Sequence, residues 1–219
     1  MDIKLKRSEE HKIVDYHFFL DYLKFFSMIL FGISMTTPVM ALIMYDMDVA
    51  FIDGKNSLVS QSFWDKPILP YLAAFFILMI HWLKFTEINH SLKNTDSNHL
   101  LITFIYFFLL CLYPYFEMNI EFTSRDAESR ALFTAVWGLM GVFAYWNLHY
   151  AYQNNLIRKK FNINRIKALK REILADPLVA LICVPLAFVS LEVWIIAMVL
   201  LIPTVNIIMF RISKTRRHI

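Results

Sequence analysis

Glycine and charge are what this chain lacks. Four glycines and seven prolines in 219 residues are too few for a fold of many tight β turns, where those two residues supply the backbone angles that turns demand. Charged residues make up 18%, against roughly 25% in a typical soluble domain. The two cysteines, Cys111 and Cys183, both lie inside apolar runs, so they read as buried thiols and not as a disulfide framework. The opening seventeen residues, MDIKLKRSEEHKIVDYH, are charged and lack an apolar core before small residues, so no cleavable signal is expected.

Chemical motifs are missing too. Seven histidines, at 11, 17, 81, 90, 99, 149 and 218, show no HxxxH or HExxH spacing that would set two metal ligands on one helix face. There is no glycine-rich phosphate loop, GxSxG elbow or CxxC pair. The expectation is therefore no enzyme, no metal site and no cofactor. His81 and His149 lie within or at the end of apolar runs, where a bond to a neighbouring helix or an interfacial position is the simplest reading.

What is present is apolar length. Hydrophobic residues make up 58%, and mean hydropathy is +0.49. A helix crossing about 30 Å of hydrocarbon needs roughly 20 mostly apolar residues. Six runs qualify, at about 19–44, 68–88, 100–118, 131–152, 177–191 and 193–211. The last two are separated only by a tight turn near Ser190-Leu191-Glu192, which forms a hairpin with Glu192 in solvent. Lipid cannot satisfy exposed backbone groups, so these runs are predicted as helices. So many runs of spanning length argue against a soluble helical bundle. The predicted fold is an all-α membrane domain over 19–211, between an N-terminal segment, 1–18, and a basic tail, 212–219. The deep parts of the spans are expected to hold essentially no acidic or basic residue, which weakens the case for a proton-coupled transporter or an intramembrane enzyme.

Loop charge sets the orientation. The N-terminal segment carries Lys4, Lys6, Arg7 and Lys12. The loops after the first and third runs are acidic (Asp46, Asp48, Asp53 and Asp65; Glu117, Glu121, Asp126 and Glu128). The fourth loop, IRKKFNINRIKALKRE, and the tail, RISKTRRHI, are basic. Excess Lys and Arg marks the cytoplasmic side, so both termini are expected there. Within the fourth loop, NRIKALKREILADP sets Ile166, Leu169, Ile173 and Leu174 against Lys167, Lys170 and Arg171 at helical spacing. It reads as an amphipathic helix on the inner interface, with the basic 158–171 stretch on anionic lipid. That reading leaves nothing for a nucleic acid to explain. Trp64, Trp82, Trp146, Tyr113, Tyr115, Tyr150 and Tyr152 fall near span ends, as an aromatic belt would place them.

The first run, FFSMILFGISMTTPV from Phe25 to Val39, carries hydroxyls and a proline where an anchor needs none. Phe26, Leu30, Ile33, Thr37, Met40 and Met44 form one stripe of a 3.6-residue helix, and Ser27, Phe31 and Ser34 an adjacent one. Gly32 with Thr36 makes a small-xxx-small pair suited to close helix packing. Pro38 frees the carbonyl of Ser34, which a hydroxyl can satisfy. Spacing alone leaves two readings open: close packing or a pore face.

The whole chain resembles the transmembrane protein 175 family, the lysosomal and bacterial potassium channels. That family opens its first span with an Arg, three residues, then Phe-Ser-Asp-Gly; here YLKFFSMILFGISMTTPVM keeps Phe26 and Ser27. YLAAFFILMIHWLKF resembles its second span, HLLITFIYFFLLCLYPY its third, and VPLAFVSLEVWIIAMVLLIP its last hairpin. The ordered set covers roughly residues 19–211. The family Arg, Asp and Gly fall on Tyr22, Met28 and Ile29, and a second-span histidine falls on Phe85, so the polar network that positions the first helix is replaced by apolar groups. The resemblance implies a homotetramer of six-span subunits with helix 1 lining a central, potassium-permeable pore. Its constriction layers map onto Ile33, Thr37 and Met40, with Ile33 narrowest. Phe26, Ser27, Ser34, Thr36 and Pro38 then serve as the pore-helix motif and its packing. A proton- or other ion-conducting homologue and a non-conducting membrane scaffold remain alternatives, and a bacterial inner membrane is the expected location.

Overall fold

The computed structural model describes residues 19–37, 68–118 and 127–215, together with Met40. Six α-helices account for nearly all of them: α1 Phe19–Thr37, α2 Ile68–Ser91, α3 Ser97–Met118, α4 Ala127–Gln153, α5 Ile163–Leu186 and α6 Leu191–Thr215. The described residues are all-α, as expected. Trp64 and Pro38 lie outside the described residues.

Among the described residues, four helices are long and apolar enough to cross a membrane: α1, the Ser97–Phe116 part of α3, α4, and the Leu191–Met209 part of α6. The other two helices carry charged groups within the described residues. α2 carries His81, Lys84 and Glu87, and α5 carries Arg165, Lys167, Lys170, Arg171, Glu172 and Asp176.

α5 is also the largest departure from the expected layout. No separate amphipathic helix precedes a span starting at 177; one helix runs from Ile163 to Leu186 through Pro177 and Pro185. Its apolar stripe faces protein and not lipid. Ile166, Leu169 and Ile173 are buried in the main core, whereas Leu174 is exposed. Asn162 starts the helix by accepting the Asn164 N–H on its side chain at 2.9 Å, as N-cap residues do. The helix ends at Leu186, and residues 187–190 make the turn into α6. Ser190 caps α6 by accepting the Val193 N–H at 3.2 Å. Glu192 is exposed in the first turn of α6.

Core packing runs mainly along α3, α4 and α5, with α6 against α5. At the α4–α5 crossing two glycines let the backbones approach. A Cβ on Gly138 would stand 2.5 Å from the Ala180 Cβ, and one on Gly141 would stand 2.6 Å from Pro177 Cδ and 3.0 Å from the Asp176 Cβ.

One end of the bundle is tied by loops. Leu92 and Ile157 form an isolated antiparallel bridge, flanked by Lys93 N–H to Leu156 O at 2.7 Å and Arg158 N–H to Ser91 O at 2.9 Å. Asn155, at φ 56°, takes the left-handed conformation that asparagine tolerates and makes the tight turn possible. The aromatic residues near helix ends divide. Trp82, Trp146, Tyr115 and Tyr152 are exposed, but Tyr113 is fully buried and Tyr150 donates to Asp96 at 3.1 Å. Cys183 is a buried thiol, whereas Cys111 is an exposed one; the apolar run around Cys111 showed its surroundings to be apolar but not which side of α3 faces out.

Candidate pore helix and a buried polar centre

A helix turns about 100° per residue, so Leu20, Leu23, Ser27, Phe31 and Ser34 share one side of α1. All five are buried. That side docks on α2 and α3. Phe31, 1% exposed, sits 6.0 Å from the Phe85 ring and 6.3 Å from Tyr106. Phe26 meets Phe107 and Phe104 edge to face at 5.7 and 6.5 Å.

The hydroxyls divide by side. Ser27 Oγ donates to Lys24 O at 2.7 Å and accepts from Asn89 Nδ2 at 3.4 Å, linking α1 to α2. Ser34 Oγ donates across to Leu110 O on α3 at 3.4 Å. Pro114 lies inside α3 and has no N–H, so the carbonyl four residues earlier, that of Leu110, loses its helical donor; Ser34 supplies one. Thr36 and Thr37 instead turn back onto their own helix. Thr36 Oγ1 donates to Gly32 O or Ile33 O, each at 3.0 Å, and Thr37 Oγ1 donates to Ile33 O at 2.8 Å. Gly32 and Thr36 are exposed, with nothing within 4 Å of a Cβ built on Gly32. Within one chain, then, close packing falls to Ser27 and Ser34, and the Gly32–Thr36 pair lies on the open side.

That open side is apolar. Tyr22, Phe25, Met28, Ile29, Ile33 and Met40 are exposed on it, Ile33 at 58% and Met40 at 62%, while Thr37 is half-buried. Met28 and Ile29 therefore cost no buried polar group.

The charges that sequence reasoning kept out of the bundle are inside it. Lys84 on α2 donates to both carboxylate oxygens of Asp176 on α5, at 2.8 and 2.7 Å. Asp176 is 3% exposed, and His81 Nε2 stands 3.6 Å from its Oδ2. Asp176 sat beside Pro177 at the edge of an apparent loop, which hid it. The available signal was His81 and Lys84 three apart on one face of an otherwise apolar helix. Phe85 lies on Tyr106 with ring centroids 4.7 Å apart and planes 4° from parallel, so apolar stacking fills that point.

A second polar chain joins α3 to α4. His99 Nε2 meets Asn147 Oδ1 at 2.9 Å and His99 Nδ1 meets Thr95 Oγ1 at 2.8 Å. Since Asn147 Oδ1 only accepts, Nε2 carries the proton and Nδ1 accepts from Thr95. Asn147 Nδ2 donates on to Thr103 Oγ1 at 2.6 Å, which donates to His99 O. Arg130, one residue before the apolar run at 131–152, is buried in α4 and donates through Nη2 to Ala187 O at 3.0 Å, where the end of α5 exposes free carbonyls. His149 bonds a neighbouring helix through Lys170 Nζ at 3.1 Å.

Near the bridged loops, Arg165 pairs with Glu87 on α2, at 2.6 Å between Nη2 and Oε2, and with Glu172 at 3.4 Å. The bonds to Glu87 raise its guanidinium above its ordinary value, against the opposing effect of partial burial. Arg165 thus belongs to a helix–helix contact. Among the described residues no group of three His, Cys, Asp or Glu gathers as metal ligands.

Helices of spanning length with an apolar exterior and polar contacts turned inward define a multi-pass integral membrane protein. Residues 22–114 match the family model described as "Endosomal/lysosomal potassium channel TMEM175". A crystal structure of a lysosomal potassium-selective channel TMEM175 homologue from Chamaesiphon minutus shares the fold, with a TM-score of 0.66 at 14% identity, over 87% of this chain and 97% of that one. No curated protein matches. The first three helices thus resemble the TMEM175 family model, and most of the chain shares the fold of that homologue.

Proposed function

We propose that this protein is a potassium-permeable cation channel whose pore is lined by α1 from four copies of the chain. The reading rests on one observation: α1 buries one side on α2 and α3 and leaves Ile33 and Met40 uncovered on the other. Four such sides around an axis would bring Ile33, Thr37 and Met40 into rings. Apolar Ile33 and Met40 rings close a narrow path by dewetting, and Thr37 oxygens replace some waters of a passing cation. Although the Thr37 proton is spent on Ile33 O, the hydroxyl oxygen keeps a lone pair for a cation. The match of residues 22–114 to a potassium-channel family model supports channel activity as a class. In this reading Ile33 is the narrowest layer, both termini are cytoplasmic, and the membrane is a bacterial inner membrane. K+ is the permeant ion and no cofactor is needed. The exposed cations Arg158, Lys159, Lys160 and Lys167 meet anionic lipid, which needs no separate interfacial helix.

The test is flux from purified protein in liposomes with potassium, sodium and proton gradients compared. Potassium flux is expected, rising in Ile33→Asn because a polar ring wets the constriction, and changing in Thr37→Ala. Flux that neither substitution alters would overturn the assignment of the pore face. Proton flux without potassium flux would favour the small-ion alternative, and no flux the scaffold.

A further inference from the structure

The ion pair in the bundle interior is only half satisfied by its protein neighbours. A carboxylate offers about four lone-pair positions, and Lys84 fills one on each oxygen of Asp176. Facing the same carboxylate is His81 Nε2, 3.6 Å away, too far for a hydrogen bond. Tyr106 on α3 completes the group. Its ring is 6.5 Å from that of His81, it lies within electrostatic range of Asp176, and it is held in place by the stack on Phe85. His81 Nε2 and the Tyr106 hydroxyl are both fully buried, and neither has a hydrogen-bond partner among the described residues. From α4, Gly141 brings only backbone toward Asp176, since a Cβ there would be 3.0 Å from the Asp176 Cβ.

Taken one at a time, each unmet group is a small penalty. Together they are two unmet groups and a carboxylate with spare lone pairs, drawn from three helices and gathered at one point. A buried ion pair repays its desolvation only when its remaining hydrogen-bonding positions are also filled. Buried water does this where a site is polar and offers two to four partners.

We propose that this point is an internal hydration site. Bound water joins His81 Nε2 and Tyr106 Oη to the Asp176 carboxylate and so fills the hydrogen-bonding positions that the Lys84–Asp176 contact leaves open. With His81 neutral and its Nε2 proton toward the carboxylate, the His81 N–H donates to water and water donates to Asp176. Tyr106 Oη–H donates to the same water or to a second one. The site makes the junction of α2, α3 and α5 polar and wet at its centre, although apolar side chains surround it. It is separate from the open side of α1 and does not depend on whether the chain conducts.

Radiolytic labelling of the full-length protein in detergent tests it, since water activated in place oxidises the side chains it touches. Oxidation of His81 and Tyr106 is expected well above that of Trp137, which is equally buried in an apolar setting. With an isotopic pulse of H218O, the incorporated oxygen should exchange more slowly than at exposed Tyr115. In Lys84→Met/Asp176→Leu the labelling of Tyr106 should be lost. In Tyr106→Phe, which keeps the ion pair, labelling of His81 should fall. His81 and Tyr106 labelled no faster than Trp137 in the unmodified chain would overturn the proposal, and so would undiminished Tyr106 labelling in the double variant.

Discussion

At the scale of single residues, the chain uses a few polar atoms to close gaps that its helix-breaking residues open. Leu110 is the clearest case, because Pro114 removes its helical donor and Ser34 replaces it from another helix. Ser34→Ala should therefore destabilise the folded protein by about 1–3 kcal/mol. In a Pro114→Ala background, where the Leu110 carbonyl regains its own N–H, the penalty should shrink; thermal unfolding of all four forms in detergent measures the coupling. The Lys84–Asp176 pair makes a sharper demand. Asp176→Leu alone leaves a buried ammonium unpaired and should cost about 3–5 kcal/mol, whereas Lys84→Met/Asp176→Leu together should recover most of that. Equal melting points for the single and double variants would show that the pair does not hold α2 to α5.

The same logic at the scale of elements turns on which side of each helix is covered. Phe31 anchors α1 between Phe85 and Tyr106, so Phe31→Ala should cost about 3–5 kcal/mol through the cavity it leaves. Limited proteolysis between α1 and α2 should then speed up more than cleavage near α4–α5. At the α4–α5 crossing, Gly141→Ala puts a methyl where Pro177 and Asp176 already are; overpacking of this kind costs about 1–3 kcal/mol and should lower the melting temperature. Helix number and approximate position were legible in the sequence, because apolar runs of this length have few other solutions. The ends and coverings of the helices were not. The amphipathic face of 164–177 suggested a membrane surface, yet Ile166, Leu169 and Ile173 are covered by protein. A helical period shows that a face must be covered but not by what.

For the whole molecule, the proposed assembly predicts a protein-only mass in detergent near four times the 25.9 kDa chain mass, measurable by light scattering or native mass spectrometry. A monomer that nonetheless conducts would remove α1 from the pore. By itself the sequence determined the all-α class and the long apolar runs, and its ordered run of weak motifs pointed to a resemblance to the TMEM175 family. These follow from composition and local periodicity, which hydrogen bonding in lipid turns directly into helices. It also marked Ile33, Thr37 and Met40 as one stripe. Only the tertiary structure decided that Gly32 and Thr36 lie with the open side of α1 while Ser27 and Ser34 are covered. It alone brought Lys84, His81, Tyr106 and Asp176 together. The last of these is 92 residues from Lys84, and contacts at such separation depend on how helices cross, which no local pattern encodes.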